Sequence, residues 1–226
     1  MICGTLYSER LAFCWGCLSD HTIVSKPDRP QSFLASEMQI STAGELVAQS
    51  WNLRTATAYS EIKLLSGAMT LLVGGPGAGK STMLIRFLNS VEGPTVLLSI
   101  EEGLNPSLSS RLNWLGVTSK DFHVWSGGHL DNLVAQLKSV KPVALGIDSL
   151  NVSQLLPSEL RKIQSAAKIP LVFCSQQITK VGLPAGYNSW SHEADVIFRI
   201  ENMEWIIEKS RYQSTGTKGK VFNGRN

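Results

Sequence analysis

The chain has 226 residues, of which 43% are hydrophobic and 17% charged, with a formal net charge of +3 and four cysteines. These values exclude an intrinsically disordered chain and give enough length for one substantial domain plus a small appendage. No stretch approaches the ~20 uninterrupted apolar residues of a membrane span, and the small positive charge permits anionic partners without demanding them.

The first residues, "MICGTLYSERLAFCWGC", hold Cys14 and Cys17 in a C-x-x-C knuckle, with Cys3 alone upstream. Three bunched cysteines argue against a disulfide framework, and no basic region followed by an apolar core suggests a signal peptide, so a cytoplasmic protein is expected. Residues 22–40 carry two prolines and little periodicity, as a linker does, and residues 41–60 hold a modest helical pattern around Leu46, Val47 and Trp51.

From about residue 61 apolar runs alternate with amphipathic stretches. "AMTLLVGG" reads as a buried strand and "STMLIRFLNSV" as a helix; "PTVLLSIEE" is a second strand, followed by the helical "SLSSRLNWLG". "FHVWS" is a short strand and "LDNLVAQLKSV" a helix; "PVALGIDSL", "SELRKIQSAAK" and "IPLVFCSQQ" repeat the strand–helix–strand pattern. Late strands are expected at "DVIFRIEN" and "EWIIEKSR". This alternation predicts an α/β fold, a mostly parallel sheet with helices on both faces.

The strongest local signal is "GGPGAGKST", Gly74, Gly75, Pro76, Gly77, Ala78, Gly79, Lys80, Ser81 and Thr82, which satisfies G-x-x-x-x-G-K-[ST] between a strand and a helix. Gly75, Gly77 and Gly79 allow the backbone to turn its N–H groups toward phosphate oxygens; Lys80 reaches the β- and γ-phosphates, and Ser81 offers its hydroxyl to magnesium. A helix N-terminus at this point adds favourable potential for the anion. Asp148, at the end of "GID", is the expected carboxylate partner for Mg2+ opposite Ser81, although aspartate at a strand end also serves as a turn former. Glu101 and Glu102 end the intervening strand, where a carboxylate can deprotonate the attacking water. Glu101 is the expected base and Glu102 its helper; the competing reading makes both helix-starting acids. Gln177, at the tip of "CSQQ", is either a γ-phosphate sensor or part of a polar turn.

The order of these motifs resembles the RecA-type ATPases, and within them the bacterial RadA (Sms) family of recombination proteins. Cys3-Gly4 and Cys14-x-x-Cys17 are similar to the second to fourth cysteines of that family's zinc finger; "SIEEG" resembles its serine-glycine-glutamate-glutamate strand end, and "QITKVG" its threonine-lysine stretch before glycine. "AGYNSWSHEADV" keeps Ala185-Gly186, His192 and Asp195. "KSRYQST" matches a lysine-asparagine-arginine-phenylalanine-glycine signature at Lys209 and Arg211 only.

The resemblance implies a RecA-type P-loop core over residues 61–226, a linker and short helical segment over 25–60, and an incomplete zinc-ribbon-like arm over 1–24. It implies ATP and Mg2+ as cofactors, Glu101, Lys80 and Gln177 as catalytic residues, and a homo-oligomer, expected as a hexameric ring, acting on single-stranded or branched DNA in recombination and repair. Lys209 and Arg211 would reach a neighbour's γ-phosphate, or else form an ordinary basic strand end. Lys180 and Tyr187 would touch DNA, or be plain loop residues.

Zinc at Cys3, Cys14 and Cys17 lacks a fourth ligand. His21 completing a Cys3His site, a cysteine upstream of Met1, and a metal-less arm all stay open. No protease-like domain is expected after Asn226, and the segments after Asp148 and before the phosphate loop are short relative to the family pattern. A nucleotide-regulated scaffold with little turnover is the alternative function. A small-molecule kinase would need an acceptor pocket and an arginine-rich lid, and no residues point to either.

Overall fold

The computed structural model describes residues 53–56, 59–127, 130–153, 155–178 and 189–222. All of them lie in the unit that runs from Ser50 to Asn226. Cys3, Cys14, Cys17, His21, Lys180, Ala185, Gly186 and Tyr187 fall outside the described residues, and so do the metal and DNA-contact expectations placed on them.

Ten strands and six helices follow one another along the described chain. Strands β1 (Leu53–Ala56) and β2 (Tyr59–Leu65) form a separate antiparallel pair. β1 and the start of β2 fall within the stretch 25–60 read as a linker and short helical segment; the helical pattern around Leu46, Val47 and Trp51 lies outside the described residues. β3 (Met69–Gly74) leads through the phosphate loop to α1 (Lys80–Ser90), then β4 (Thr95–Ser99), α2 (Pro106–Trp114), β5 (Phe122–Trp125) and α3 (Leu130–Val140). β6 (Ala144–Asp148), α4 (Leu150–Ser153), α5 (Pro157–Ala167), β7 (Leu171–Gln177), α6 (Ser189–Glu193), β8 (Val196–Glu201), β9 (Glu204–Ser210) and β10 (Lys218–Lys220) complete it. The short segment after Asp148 is thus one helical turn, α4, before α5 begins.

The main sheet has the order β10-β9-β8-β3-β7-β6-β4-β5. β5, β4, β6, β7, β3 and β8 run parallel, and β9 and β10 add antiparallel strands at one side. The RecA-type α/β expectation holds.

Period-2 alternation divides the core between the two faces of the sheet. Leu72, Leu97, Phe173 and Phe198 meet α1 through Met83, Leu84, Phe87 and Leu88 on one face, where Tyr59, Ile62 and Leu64 of β2 also pack. Leu71, Val73, Leu145, Ile147, Val172 and Cys174 face Leu137 of α3, Leu160 and Ile163 of α5, and Trp190 of α6 on the other. Phe87 stacks on Phe173 with ring centroids 4.9 Å apart. Covering both faces is what lets six parallel strands carry uninterrupted apolar runs, and it leaves only strand ends for polar chemistry.

Local caps fix where the helices begin. Asn105 accepts a hydrogen bond from the Leu108 backbone N–H at 2.9 Å ahead of Pro106, so α2 starts there. Glu159 accepts from the Leu156 N–H at 2.8 Å, starting α5 at Pro157. At the start of the parallel strands, the Asp195 carboxylate accepts from the Met69 N–H at 2.8 Å and from Arg161 at 2.7 Å. Arg161 also donates to the Gly67 and Glu193 carbonyls, so one network ties α5, α6 and β3 together.

Candidate nucleotide site

The phosphate loop joins β3 to α1, and its shape rests on two glycines in the left-handed region, Gly77 at φ 69° and Gly79 at φ 109°. Gly74 is constrained differently: a Cβ there would sit 2.4 Å from the Ile200 carbonyl oxygen of neighbouring β8. A Cβ on Gly75 would meet nothing within 4 Å, so the packing demand within the protein falls on Gly74. The turn between β8 and β9 buttresses the loop from outside: the Met203 N–H donates to the Ala78 carbonyl at 3.1 Å. The Met203 sulfur would lie 2.7 Å from a Cβ on Gly79.

Lys80 opens α1 and donates from Nζ to the Gly75 carbonyl at 2.7 Å, across the mouth of the loop. Burial pulls its pKa below the usual lysine value, while the Asp148 and Glu101 carboxylates push it back up. A partly desolvated cation held by its own loop is positioned to exchange that carbonyl for a phosphate oxygen.

Strand order decides which groups face the loop. β7 lies between β3 and β6, so its tip separates the phosphate loop from Asp148. Ser175 of β7 donates from Oγ to Asp148 Oδ1 at 2.5 Å and fixes the carboxylate's direction. The Gln177 N–H donates to Asn151 Oδ1 at 2.8 Å, tying that strand end to α4. The Asp148–Ser149 peptide is cis.

Glu101 and Glu102 both stand in the turn beyond β4, where strand alternation no longer sends them to opposite faces. The Ile100 and Glu101 N–H groups both donate to the Asp148 carbonyl, at 2.8 and 3.2 Å, which seats this turn against β6. The two carboxylates have different partners. Ser149 Oγ donates to Glu101 Oε2 at 2.8 Å, whereas Glu102 pairs with Arg111 of α2 at 2.7 Å.

A cavity of about 400 Å³ collects these groups. Pro76, Gly77, Lys80, Ser81, Glu101, Asp148 and Gln177 line it, so these expected site residues converge. Gly74, Gly75, Ala78, Gly79 and Thr82 shape the loop and helix start without lining the cavity. Glu102, Arg111 and Ser149 also line it, and the last two went unread in the sequence. No spacing rule joins Arg111 to Glu102 or Ser149 to Glu101; the contacts come from how α2 and β6 dock.

The donor set suits magnesium: the Ser81 hydroxyl and the Asp148 carboxylate both line the cavity, and Mg2+ takes few protein oxygens while keeping water and phosphate ligands. Among the described residues, no group of three or more His, Cys, Asp or Glu side chains forms another metal site.

Comparison with known proteins was made on this background. No protein-family model matches the chain. DNA repair protein RadA of Aquifex aeolicus (strain VF5) is 26% identical over 245 residues, covering 95% of this chain and 54% of that protein. DNA repair protein RadA of Bacillus subtilis (strain 168) is 26% identical over 72% of this chain and 40% of its own length. The same protein from Chlamydia trachomatis is 26% identical over 88% and 49%. The chain is RadA-like. It spans about half the length of the curated relatives it matches.

In this RadA-like chain Lys209 and Arg211 do not join the phosphate cavity. β9 runs antiparallel to β8, pairing Lys209 with Ile197 and Ser210 with Val196, at the start of the parallel strands. The phosphate loop leaves the opposite end, where Gly74 pairs with Ile200. Lys209 Nζ donates to the Ser191 and His192 carbonyls at 2.8 and 3.0 Å, closing the C-terminal end of α6. Arg211 donates to the His192 carbonyl and pairs with Asp195 at 3.1 Å. Partial burial lowers the Lys209 pKa and neighbouring Arg211 lowers it further, against the Asp195 and Glu193 charges. Among the described residues, no helix is long and apolar enough to cross a membrane.

Proposed function

We propose that the chain binds ATP with Mg2+ in the 400 Å³ cavity and hydrolyses it, as a cytoplasmic, RadA-like ATPase acting on single-stranded or branched DNA in recombination and repair. The observation that carries this reading is the convergence of Lys80, Ser81, Asp148, Glu101 and Gln177 on one cavity at the strand ends.

Each residue then has a task. Loop N–H groups and Lys80 cradle the β- and γ-phosphates. Ser81 and Asp148 hold Mg2+, which neutralises charge on the phosphate oxygens. Glu101 accepts the proton of the water that attacks the γ-phosphorus; the bond to the bridging oxygen breaks, and ADP and phosphate leave. Gln177 contacts the γ-phosphate and relays its presence through Asn151 and the chain beyond β7. The relatives' printed name, DNA repair protein RadA, supports the DNA-directed part.

Lys209 and Arg211 lie too far from their own cavity to serve it. A homo-oligomeric ring, hexameric in the simplest form, would bring that edge to a neighbouring subunit's nucleotide. The short segment after Asp148, a single helical turn at α4, supports a second reading, an assembly protein that binds ATP and turns it over little.

ATP turnover with and without single-stranded DNA, across a salt series, tests the proposal. The ATPase reading expects Lys80→Ala to abolish nucleotide binding and Glu101→Gln to bind ATP without releasing phosphate. A scaffold keeps its biological activity in Glu101→Gln. Turnover and binding both indifferent to DNA and salt would remove the DNA-directed part.

A further inference from the structure

We propose that a second cavity, on the same sheet edge, seats an unpaired nucleobase of the single strand and signals its presence to Glu101. This inference rests on the DNA-directed reading above. The cavity measures about 210 Å³ and lies between the tips of β4 and β5, the first turns of α3, and α4. Its apolar walls are Leu98, Ile100, Trp125, Leu133, Val152 and Leu155.

The lining chemistry selects a flat, neutral, hydrogen-bonding occupant. Among the described residues, no Asp, Glu, Lys or Arg lines the cavity, in contrast to the phosphate cavity with its five charged side chains. These described walls offer an anion or a cation no counter-charge. Asn132 and Gln136 stand one helical turn apart on the same face of α3, and both are exposed at the cavity mouth. A carboxamide donates and accepts at once, which suits the mixed edge of any base. Trp125 supplies an aromatic wall, and stacking on such a surface tolerates every base because each has a π-face.

The position supplies the signal. The two cavities share one partition, built from the β4 tip and α4. Ile100 lines the nucleobase cavity and its neighbour Glu101 lines the phosphate cavity; Val152 and Ser153 line the first, and Ser149 the second. A base pressed on Val152 and Ser153 bears on the helical turn that follows Ser149, the residue whose hydroxyl holds the Glu101 carboxylate. Occupancy of one cavity thus repositions the base of the other.

The test compares two oligomers of equal length and phosphate count, one carrying bases and one fully abasic. Binding and ATP turnover are measured for the parent, Gln136→Ala and Val152→Trp; both side chains are solvent-exposed, and the tryptophan fills the cavity. The parent should bind the base-bearing strand about tenfold more tightly, the scale of one base stacked on an aromatic ring. Its turnover should rise only with that strand. Both variants should shrink the ratio several-fold and leave abasic binding unchanged. An undiminished ratio in both variants overturns the inference, as does a parent that binds both strands equally; in either case the DNA-directed reading survives. Binding of neither strand overturns both. If the true occupant is an apolar side chain of a partner protein, neither variant changes either oligomer, and the inference falls.

Discussion

Ser149 Oγ donates to Glu101 Oε2 at 2.8 Å, so the residue directly after Asp148 holds the carboxylate proposed to activate water. A hydrogen bond to a charged acceptor is worth about 1.5–3 kcal/mol, enough to set where that carboxylate points. Ser149→Ala should lower kcat by about tenfold and leave KM for ATP near the parent value, and Ser149→Thr should recover most of the loss. Equal kcat in the alanine variant and the parent refutes the positioning role.

Arg111 neutralises Glu102 in the same cavity at 2.7 Å, with both side chains partly buried. Removing the arginine leaves a second uncompensated negative charge beside the γ-phosphate position. Arg111→Ala should therefore depress turnover by about tenfold or more. Arg111→Ala combined with Glu102→Gln should regain much of it. A double variant as slow as the single one would instead mean that Arg111 acts on the phosphate itself.

Two neighbouring glycines separate steric from chemical roles. Gly74→Ala drives a Cβ against the Ile200 carbonyl oxygen, a backbone atom that cannot swing away. Thermal or denaturant unfolding should show a loss of about 1–3 kcal/mol. Gly75→Ala has open space around its Cβ and should unfold like the parent. Two indistinguishable unfolding curves would show that β8 gives way at Ile200.

Lys209 and Arg211 invite a complementation experiment. Within one chain they close α6 and pair with Asp195 at the strand starts. If they serve a neighbour's cavity, Lys80→Ala and Arg211→Ala proteins should each be inactive alone and recover partial turnover when mixed. A mixture as inactive as its components would leave the pair as a brace for α6.

Tyr212 predicts a pH response. Burial raises its phenol pKa to about 12, above the usual value near 10. The folded state holds the proton more tightly than the unfolded chain, so this contribution is intact below pH ~10 and is lost as pH rises through about 12. Tyr212→Phe should flatten the decline in stability over that window relative to the parent. Parallel curves above pH ~10 would contradict it.

What the sequence made legible was whatever a single segment encodes. The phosphate loop, Asp148 at its strand end and the glutamate pair at theirs depend on short-range order, and each lies where its motif placed it. Contacts made by docking were not legible. Arg111 sits in a helix with no motif of its own, and Ser149 reads as an ordinary residue after a strand. Similarity nominates Lys209 and Arg211 for a neighbour's nucleotide, and only the fold shows that the antiparallel turn at Asn202–Met203 sets them at the opposite end of the sheet from their own chain's cavity. β1 was missed because its four residues are too few to display a period.

The Met203 contact with the phosphate loop also changes how distant substitutions should be classified. Ala78 accepts from Met203, Met203 accepts from Val221 at 2.8 Å, and Val221 in turn accepts from Tyr59 and Arg86 at 2.7 and 2.6 Å. This relay spans more than a hundred positions and ends on the carbonyl two residues before Lys80. If the loop binds nucleotide as proposed, a change at Tyr59 or Arg86 should alter affinity as well as folding, and screens that score only loop residues would file it under folding alone.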